Sequence, residues 1–522
     1  MDMGEECGIA AISMESNIST NTPFLLYKML LNLQNRGQLS AGMTTHNPER
    51  SQIIDTYRHL GTVNEAFGTS NGNHIQKVFE RYKGNMGIGH VRYATSGVDD
   101  KSYAQPFERH HGRKWKWFSF CFNGNLANYI ELKESLKKSD YHLIRETDTE
   151  LIMHYISKEI MSTESSDMVN IFSNLSEKFD GAYNIAFVNA EGKLAVLRDP
   201  LGIKPLSYGF KRNPEIPSEQ SQLGKDEGLM LAASESNALI NCGVKEFQTL
   251  EPGHMILVEN GNPEIVKFAK SPRKAHCMFE WVYFSNVSSV IDGKSVYLTR
   301  INLGKELAKL EIEKINDEYV VVGVPDSSKP IADGFAFELG LPSKEGLIRN
   351  RYVGRVFIDG KDKREAKIKD KFTVLKEIVN DKKVLLIDDS IVRGTTSKEL
   401  VRFLKKTGGA KEVHMRVACP PIVCPCFYGI DMSTISELIA SKFVKNVSED
   451  ITQEECKKLA EEIGADSVIY NTKADLVRSI GLPKSDLCLA CISGDYLTPC
   501  GKDLYQKALE DFKKGETKRT YE

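Results

Sequence analysis

The sequence predicts two unlike halves: an α+β sandwich of many short strands, followed by an α/β unit built on a parallel sheet. Three observations carry this. The chain has 522 residues, more than one hydrophobic core usually organises, so more than one domain is expected. From Cys7 to about residue 265, short apolar runs are broken by glycine and asparagine, among them CGIAAI, FSFCFNGNLANY, AYNIAFVN, KLAVLRD, LMLAAS and HMILVEN. That is the spacing of short strands in packed sheets. After about residue 275, EYVVVGVPDSSKPIADGFAFELG and KVLLIDDSIVRGTTSKELVRFLKKTGGAKEVHMRV each run from a buried strand through a polar loop into an amphipathic helix. This is the βαβ rhythm of a parallel sheet covered by helices.

Within the first half, residues 22–35 and 147–160 repeat apolar side chains at three and four, which predicts helices. The polar segment 211–228, with two prolines and two glycines between strand candidates, reads as a surface excursion.

Lys and Arg total 69 against 71 for Asp and Glu, so no polycationic field exists to draw in nucleic acid. The start, MDMGEE, is acidic where a secretory signal is basic, and no window offers about 18 consecutive apolar residues for a membrane span. A soluble cytoplasmic protein with no membrane partner is expected. Eleven cysteines in such a chain point to thiolate chemistry or metal ligation before a disulfide framework.

Residues 384–396, VLLIDDSIVRGTT, have the form of a phosphate grip. In open α/β sheets ligands sit beyond the carboxyl ends of strands. There Ser390, Thr395 and Thr396 offer hydroxyls, Gly394 admits close backbone N–H groups, and a helix starting near Ser397 turns its positive end to an anion. Asp388 and Asp389 would repel a bare phosphate, so they suit ribose hydroxyls or a hydrated Mg²⁺ bridging to pyrophosphate. The plainer reading is an acid pair that caps a turn. Residues 349–358, RNRYVGRVFI, with Arg364, Lys369 and Lys371, are by themselves a charged surface segment or an anion clamp.

The phosphate grip resembles the signature of type I phosphoribosyltransferases, with Arg393 inside the loop. The 349–358 segment, including Arg349, Arg351 and Tyr352, resembles the mobile basic loop of the glutamine phosphoribosylpyrophosphate amidotransferases. Ser327 of VPDSSKP is implied by the same match as a further Mg²⁺ contact beside Asp388 and Asp389.

The first half supports this. CGIAAI alone is weak, because a buried structural cysteine is the common case. Yet NRGQLSAG, GHVRYATSG, FNGNLAN and ETDTE supply polar groups of the kind amide hydrolysis needs: a nucleophile, an oxyanion pocket and anchors for substrate charges. These segments resemble the glutaminase domain of N-terminal-nucleophile amidotransferases, a four-layer αββα sandwich. The resemblance implies Cys7 as nucleophile with its own α-amino group as base, and Asn123 and Gly124 as the oxyanion hole. It also implies Arg92 on the glutamine α-carboxylate and Asp148 on the α-ammonium. It requires residues 1–6 to be removed as a propeptide. Leu39 departs from the family, which usually carries an acid there. RDPLGIKPL and ASES also fit.

CLAC at 488–491 can bring two thiolates to one metal or cluster; zinc, iron–sulfur and plain packing all remain open on that pair. The amidotransferase resemblance, in its iron–sulfur-containing type, implies a [4Fe-4S] cluster on Cys277, Cys426, Cys488 and Cys491. Cys426 is preferred to Cys424 by motif, while Cys419 and Cys500 have no assigned role.

The resemblance as a whole implies a glutaminase domain at 7–270, a phosphoribosyltransferase domain at 271–500 and a tail at 501–522. It implies an enzyme that hydrolyses glutamine and transfers the ammonia to phosphoribosyl pyrophosphate, with Mg²⁺, inhibition by purine nucleotides and a homotetramer. The rivals are an aminosugar-phosphate synthase sharing the first half, and a non-catalytic nucleotide or redox sensor.

Overall fold

β1 (Gly8–Met14) is buried along its whole length, and its alternation decides how the first half is layered. Ala10, Ile12 and Met14 pack with Leu26, Met29 and Leu30 of the helix Asn21–Asn32, while Ile9 and Ala11 point the other way into a second core. Side chains on a strand alternate between faces, so a strand apolar at every position must be covered on both sides. In the computed structural model, residues 7–14, 18–93, 100–163, 167–211, 228–350, 371–432 and 434–516 are described.

β1 sits inside an antiparallel sheet of seven strands, in the order β11-β9-β10-β1-β4-β2-β3. Its other members are β2 (Ser40–His46), β3 (Ile54–Leu60), β4 (Met86–Arg92), β9 (Ser207–Lys211), β10 (Leu229–Ala233) and β11 (Phe247–Thr249). A second antiparallel sheet, ordered β13-β12-β8-β7-β6-β5, lies against it. It contains β5 (Phe107–Arg109), β6 (Phe118–Leu126), β7 (Gly181–Asn189), β8 (Leu194–Arg198), β12 (His254–Glu259) and β13 (Asn262–Lys267). Ile9, Ala11, Ile88, Cys121, Ala186 and Val196 fill the space between the sheets. On the outer face Phe118, Phe120 and Phe187 meet Ile152, Ile156, Ile171 and Phe172 of the helices Asp148–Thr163 and Met168–Ser176. The result is helix, sheet, sheet, helix: the four-layer αββα sandwich.

The predicted helices form at Asn21–Asn32 and Asp148–Thr163. The expected excursion falls largely at 212–227, outside the described residues; β9 and β10 on either side pair directly, Lys211 opposite Leu229. β2, SAGMTTH, did not announce itself as a strand, because serine, threonine and histidine fill it, yet all seven residues are buried.

The second half opens with three short elements, β14 (His276–Cys277) and the hairpin β15 (Val290–Ile291) with β16 (Lys294–Ser295). Its core is a four-stranded parallel sheet, β17 (Tyr319–Gly323), β20 (Lys383–Asp388), β21 (Glu412–Val417) and β22 (Ser467–Tyr470), in the order β17-β20-β21-β22. A small antiparallel ladder, β18 (Leu347–Arg349) with β19 (Phe372–Val374), flanks it. Val320 to Val322 and Val384 to Ile387 are buried, as strands covered on both faces require. β23 (Leu487–Cys488) pairs in parallel with β14. The residues expected as a tail begin inside a helix, Pro499–Lys514, whose Tyr505 ring lies tilted 4.9 Å from that of Tyr496.

Buried polar contacts join the halves. Arg36 meets Glu235 at 2.6 Å and Glu280 at 2.5 Å, all three side chains being shut from solvent. Arg198 of RDPLGIKPL pairs with Asp292 at 2.9 Å. Glu235 belongs to ASES, so the two segments that fitted without a role work as struts. Among the described residues no helix is long and apolar enough to cross a membrane, and all eleven cysteines are free of disulfides.

Candidate active sites

Cys7 precedes β1 directly. Gly8 pairs with Val91, so the ladder sets Cys7 beside Arg92 at the end of β4. The Cys7 thiol lies 3.7 Å from the Tyr93 carbonyl oxygen. One pocket is lined by Cys7, Arg92, Asn123, Gly124 and Asp148, the five residues singled out for glutamine chemistry, together with Tyr103, Gln105, Tyr129 and others.

β6 delivers the two amides. The Asn123 Nδ2 group is buried with no hydrogen-bond partner among the described residues, a donor bordering the pocket. Gly124 lies so close to β7 that a Cβ there would stand 1.9 Å from the Ala182 oxygen; only glycine fits, and its backbone can line the cavity. Asp148 opens the helix Asp148–Thr163 and accepts the Leu126 N–H at 3.0 Å. Burial pushes its carboxyl up to about 6, with the Leu126 bond opposing, so a cation arriving here has a carboxylate to stabilise. The Arg92 guanidinium stands 5.3 Å from the Tyr103 ring, buried with its positive charge at the pocket.

Leu39, the departure from the family, acts here through its backbone: its N–H donates to the Arg92 oxygen at 3.0 Å, and its carbonyl accepts from Gly61 at 2.8 Å. Thr95, Ser96 and Gly97 of GHVRYATSG lie outside the described residues. Sequence reasoning missed Gln105 and Tyr129, and missed Gly429, Ile430 and Asp431 of the second half, which border the same pocket. Nothing local marks the last three; they arrive by tertiary folding.

A second pocket is lined by Asp388, Asp389, Ser390, Arg393, Gly394 and Thr396, with Tyr283, Ile391, Val392 and Ser397. β20 ends at Asp388, as the strand-loop reading required. The helix begins at Thr395, two residues earlier than expected, with Gly394 as its cap at φ +73°. A Cβ on Gly394 would meet Ile439 at 2.3 Å, so the turn needs glycine twice over. Thr395 is exposed and does not line this pocket. The hydroxyls of Ser327 and Ser390 donate to Asp389 at 2.6 and 2.7 Å, and Ser328 reaches both acids. Burial first, and its acidic neighbour second, hold Asp388 above the usual carboxylate range; burial lifts Asp389 as well. Two adjacent buried carboxyls with hydroxyl donors fit a divalent cation, which would favour their charged forms.

Arg393 pairs with Glu437 at 2.7 Å and faces Asp431 at 4.0 Å. Arg349 reaches Asp326 of the VPDSSKP loop at 3.5 Å. Arg351, Tyr352, Arg364 and Lys369 lie outside the described residues, as do residues 1–6.

Cys277 stands opposite Cys488 in the β14–β23 ladder. The carbonyl of Cys491 accepts two N–H groups, from Val423 and Cys424. The thiols of Cys419, Cys426, Cys488 and Cys277 all raise that of Cys491, after burial, which raises it most. The four sulfurs named for a cluster therefore occupy one neighbourhood, with Cys419 as an unforeseen fifth. Among the described residues, however, no three His, Cys, Asp or Glu side chains are gathered closely enough to hold a metal ion. The expected cluster site is thus met as a convergence of thiols, not as a ready ion site.

Known proteins resemble this chain over most of its length. Residues 70–268 match the glutamine amidotransferase domain family and residues 294–424 the phosphoribosyl transferase domain family. An amidophosphoribosyltransferase of Methanothermobacter thermautotrophicus is 38% identical over 505 residues, covering 96% of this chain and 97% of its own. The Bacillus subtilis amidophosphoribosyltransferase is 34% identical over 509 residues, with 96% of each chain covered. Two solved structures superpose over nearly the whole length. One, described as the allosteric regulatory enzyme of purine biosynthesis, has a TM-score of 0.80 at 33% identity and covers 96% of this chain and 97% of its own. The other, glutamine phosphoribosylpyrophosphate amidotransferase from B. subtilis complexed with ADP and GMP, has a TM-score of 0.78 at 32% identity and covers 95% and 98%.

Proposed function

The chain belongs to the amidophosphoribosyltransferase family, and from that premise we propose which of its residues perform each half of the reaction. It is an enzyme of purine biosynthesis that takes ammonia from glutamine and places it on phosphoribosyl pyrophosphate, giving 5-phosphoribosylamine, glutamate and pyrophosphate. The sensor reading finds no support.

Cys7 attacks the glutamine amide to form a thioester, its α-amino group acting as base once residues 1–6 are removed. Asn123 and Gly124 stabilise the oxyanion, Arg92 pairs with the α-carboxylate and Asp148 with the α-ammonium. The observation that carries this reading is the Asn123 Nδ2 group, without a hydrogen-bond partner among the described residues and bordering one pocket with Cys7, Arg92 and Asp148. In the second pocket Ser390, Gly394 and Thr396 would hold the 5′-phosphate, and Asp388 and Asp389 would hold the ribose hydroxyls and Mg²⁺, with Ser327 nearby. Bound there, Mg²⁺ would neutralise charge on the leaving pyrophosphate. Arg349, with Arg351 and Tyr352, supplies the clamp.

A [4Fe-4S] cluster on Cys277, Cys426, Cys488 and Cys491 rests on the motif resemblance; among the described residues no three metal-ligating side chains are gathered to hold an ion, and a bound cluster would tie three chain segments together in a structural role. Iron and sulfide analysis tests it; a colourless protein containing zinc without iron would exclude it. Feedback by purine nucleotides is supported by the ADP and GMP in the B. subtilis complex.

The reaction is tested by supplying glutamine, phosphoribosyl pyrophosphate and Mg²⁺ and measuring glutamate and pyrophosphate. Glutamate and pyrophosphate are expected in equal amounts; glutamate without pyrophosphate would remove the second half of the assignment.

A further inference from the structure

β4 carries Arg92 and β6 carries Asn123 and Gly124, but the two strands belong to different sheets, so no backbone ladder fixes one over the other. One fully buried side chain crosses between them beside these residues. His90 Nε2 lies 3.1 Å from the carbonyl oxygen of Phe122. A carbonyl only accepts, so Nε2 of the ring carries a proton. Burial, opposed by this bond, holds its pKa down to about 3. Nδ1 has no partner among the described residues, which leaves the Phe122 bond to hold the ring.

The N–H of Phe122 is also committed. β5 reaches Phe107, opposite Phe120, so the Phe122 N–H falls past the end of that ladder. The Gln105 side chain takes it: Oε1 accepts from Phe122 N–H at 2.8 Å, and Nε2 donates to the Thr149 hydroxyl at 3.3 Å, next to Asp148. Among the described residues, other side-chain bonds cross between strands of the two sheets from Thr44 to Ser119 at 2.7 Å, from the Cys121 thiol to the Gly89 oxygen at 3.4 Å and from Thr56 to Glu108. None of these reaches past Phe122 toward Asn123. The peptide groups of Phe122 thus link the strand of Arg92 to the helix of Asp148, and the next residue is Asn123.

We propose that His90 and Gln105 are positioning residues for glutamine hydrolysis: through Phe122 they set the span between the two substrate anchors, Arg92 and Asp148, and the Asn123–Gly124 amides. This rests on the glutamine reading of the pocket. The substrate's charged end and its amide are held at opposite ends of that span, and a displacement of about 1 Å costs on the order of 10²-fold in rate.

The test is steady-state kinetics of His90→Phe, His90→Gln and Gln105→Leu with glutamine and, separately, with ammonia. His90→Phe and Gln105→Leu are expected to lose about 10²-fold in kcat/KM for glutamine, through both a lower kcat and a higher KM, with ammonia-driven turnover unchanged. His90→Gln keeps a donor and is expected to recover most of the loss. Wild-type glutamine constants in His90→Phe or Gln105→Leu would overturn the proposal. So would a His90→Gln protein no better than His90→Phe while ammonia-driven turnover stays intact. If His90→Phe does not fold, Gln105→Leu decides: a loss of glutamine-driven kcat/KM with ammonia-driven turnover kept supports the proposal, and wild-type glutamine constants overturn it. A Cys7→Ala protein that still hydrolyses glutamine would remove the glutamine reading itself, whatever the His90 variants do.

Discussion

Arg393 of the phosphate loop faces Asp431 at 4.0 Å, and Asp431 borders the pocket that contains Cys7. The two pockets therefore share an ionic contact. Asp431→Asn keeps the shape and removes the charge. It is expected to raise KM for glutamine and for phosphoribosyl pyrophosphate together, each by up to about fivefold, since a partly exposed pair contributes up to about 1 kcal/mol. A change in only one constant, measured by titrating each substrate at saturation of the other, would mean that the contact does not connect the sites.

Two glycines give opposite signatures. A Cβ on Gly124 would stand 1.9 Å from a backbone oxygen, so Gly124→Ala must displace the oxyanion amides. Glutamine-driven turnover is expected to fall by about 10²–10³-fold, with ammonia-driven turnover kept. Gly394→Ala forces a side chain onto φ +73° and against Ile439. That strain, roughly 1–2 kcal/mol, is expected to raise KM for phosphoribosyl pyrophosphate about tenfold under either nitrogen source. Exchange of these two signatures would contradict the assignment of the pockets.

Acidity reports on Asp148. Its carboxyl is raised to about 6 by burial, so it is charged above that pH and protonated below it. An α-ammonium needs the charged form. KM for glutamine is therefore expected to be flat above neutrality and to rise about tenfold per unit as the pH falls below 6. Asp148→Asn should hold KM high and flat across the same range; an unchanged acid limb in that variant would assign the titration elsewhere.

Much of the phosphate site was legible because its chemistry is local: VLLI, two acids and a small-residue loop are consecutive in the chain. The glutamine residues were legible one by one, but not their framework. Gln105 has no signal of its own, since its role depends on β5 stopping short of Phe122. β2 was hidden because SAGMTTH is polar, yet it lies buried between β3 and β4. Arg36 sits in NRGQLSAG, which reads as a candidate site segment. The fold instead spends its guanidinium on Glu235 and Glu280, far away in sequence.

That use of Arg36 has a measurable cost. Arg36→Met leaves two buried carboxylates without their cation, and removing one member of a buried ion pair costs about 3–5 kcal/mol. Urea unfolding should show a loss of that size; a loss below about 1 kcal/mol would mean that water or another cation already serves these acids.

The central claim is that ammonia is made at Cys7 and used at the acid pair. It is tested most directly by Cys7→Ala, assayed with phosphoribosyl pyrophosphate and Mg²⁺ on each nitrogen source. The account predicts complete loss of glutamine-driven turnover with ammonia-driven turnover retained. Loss of both, or survival of the glutamine-driven reaction, would contradict it.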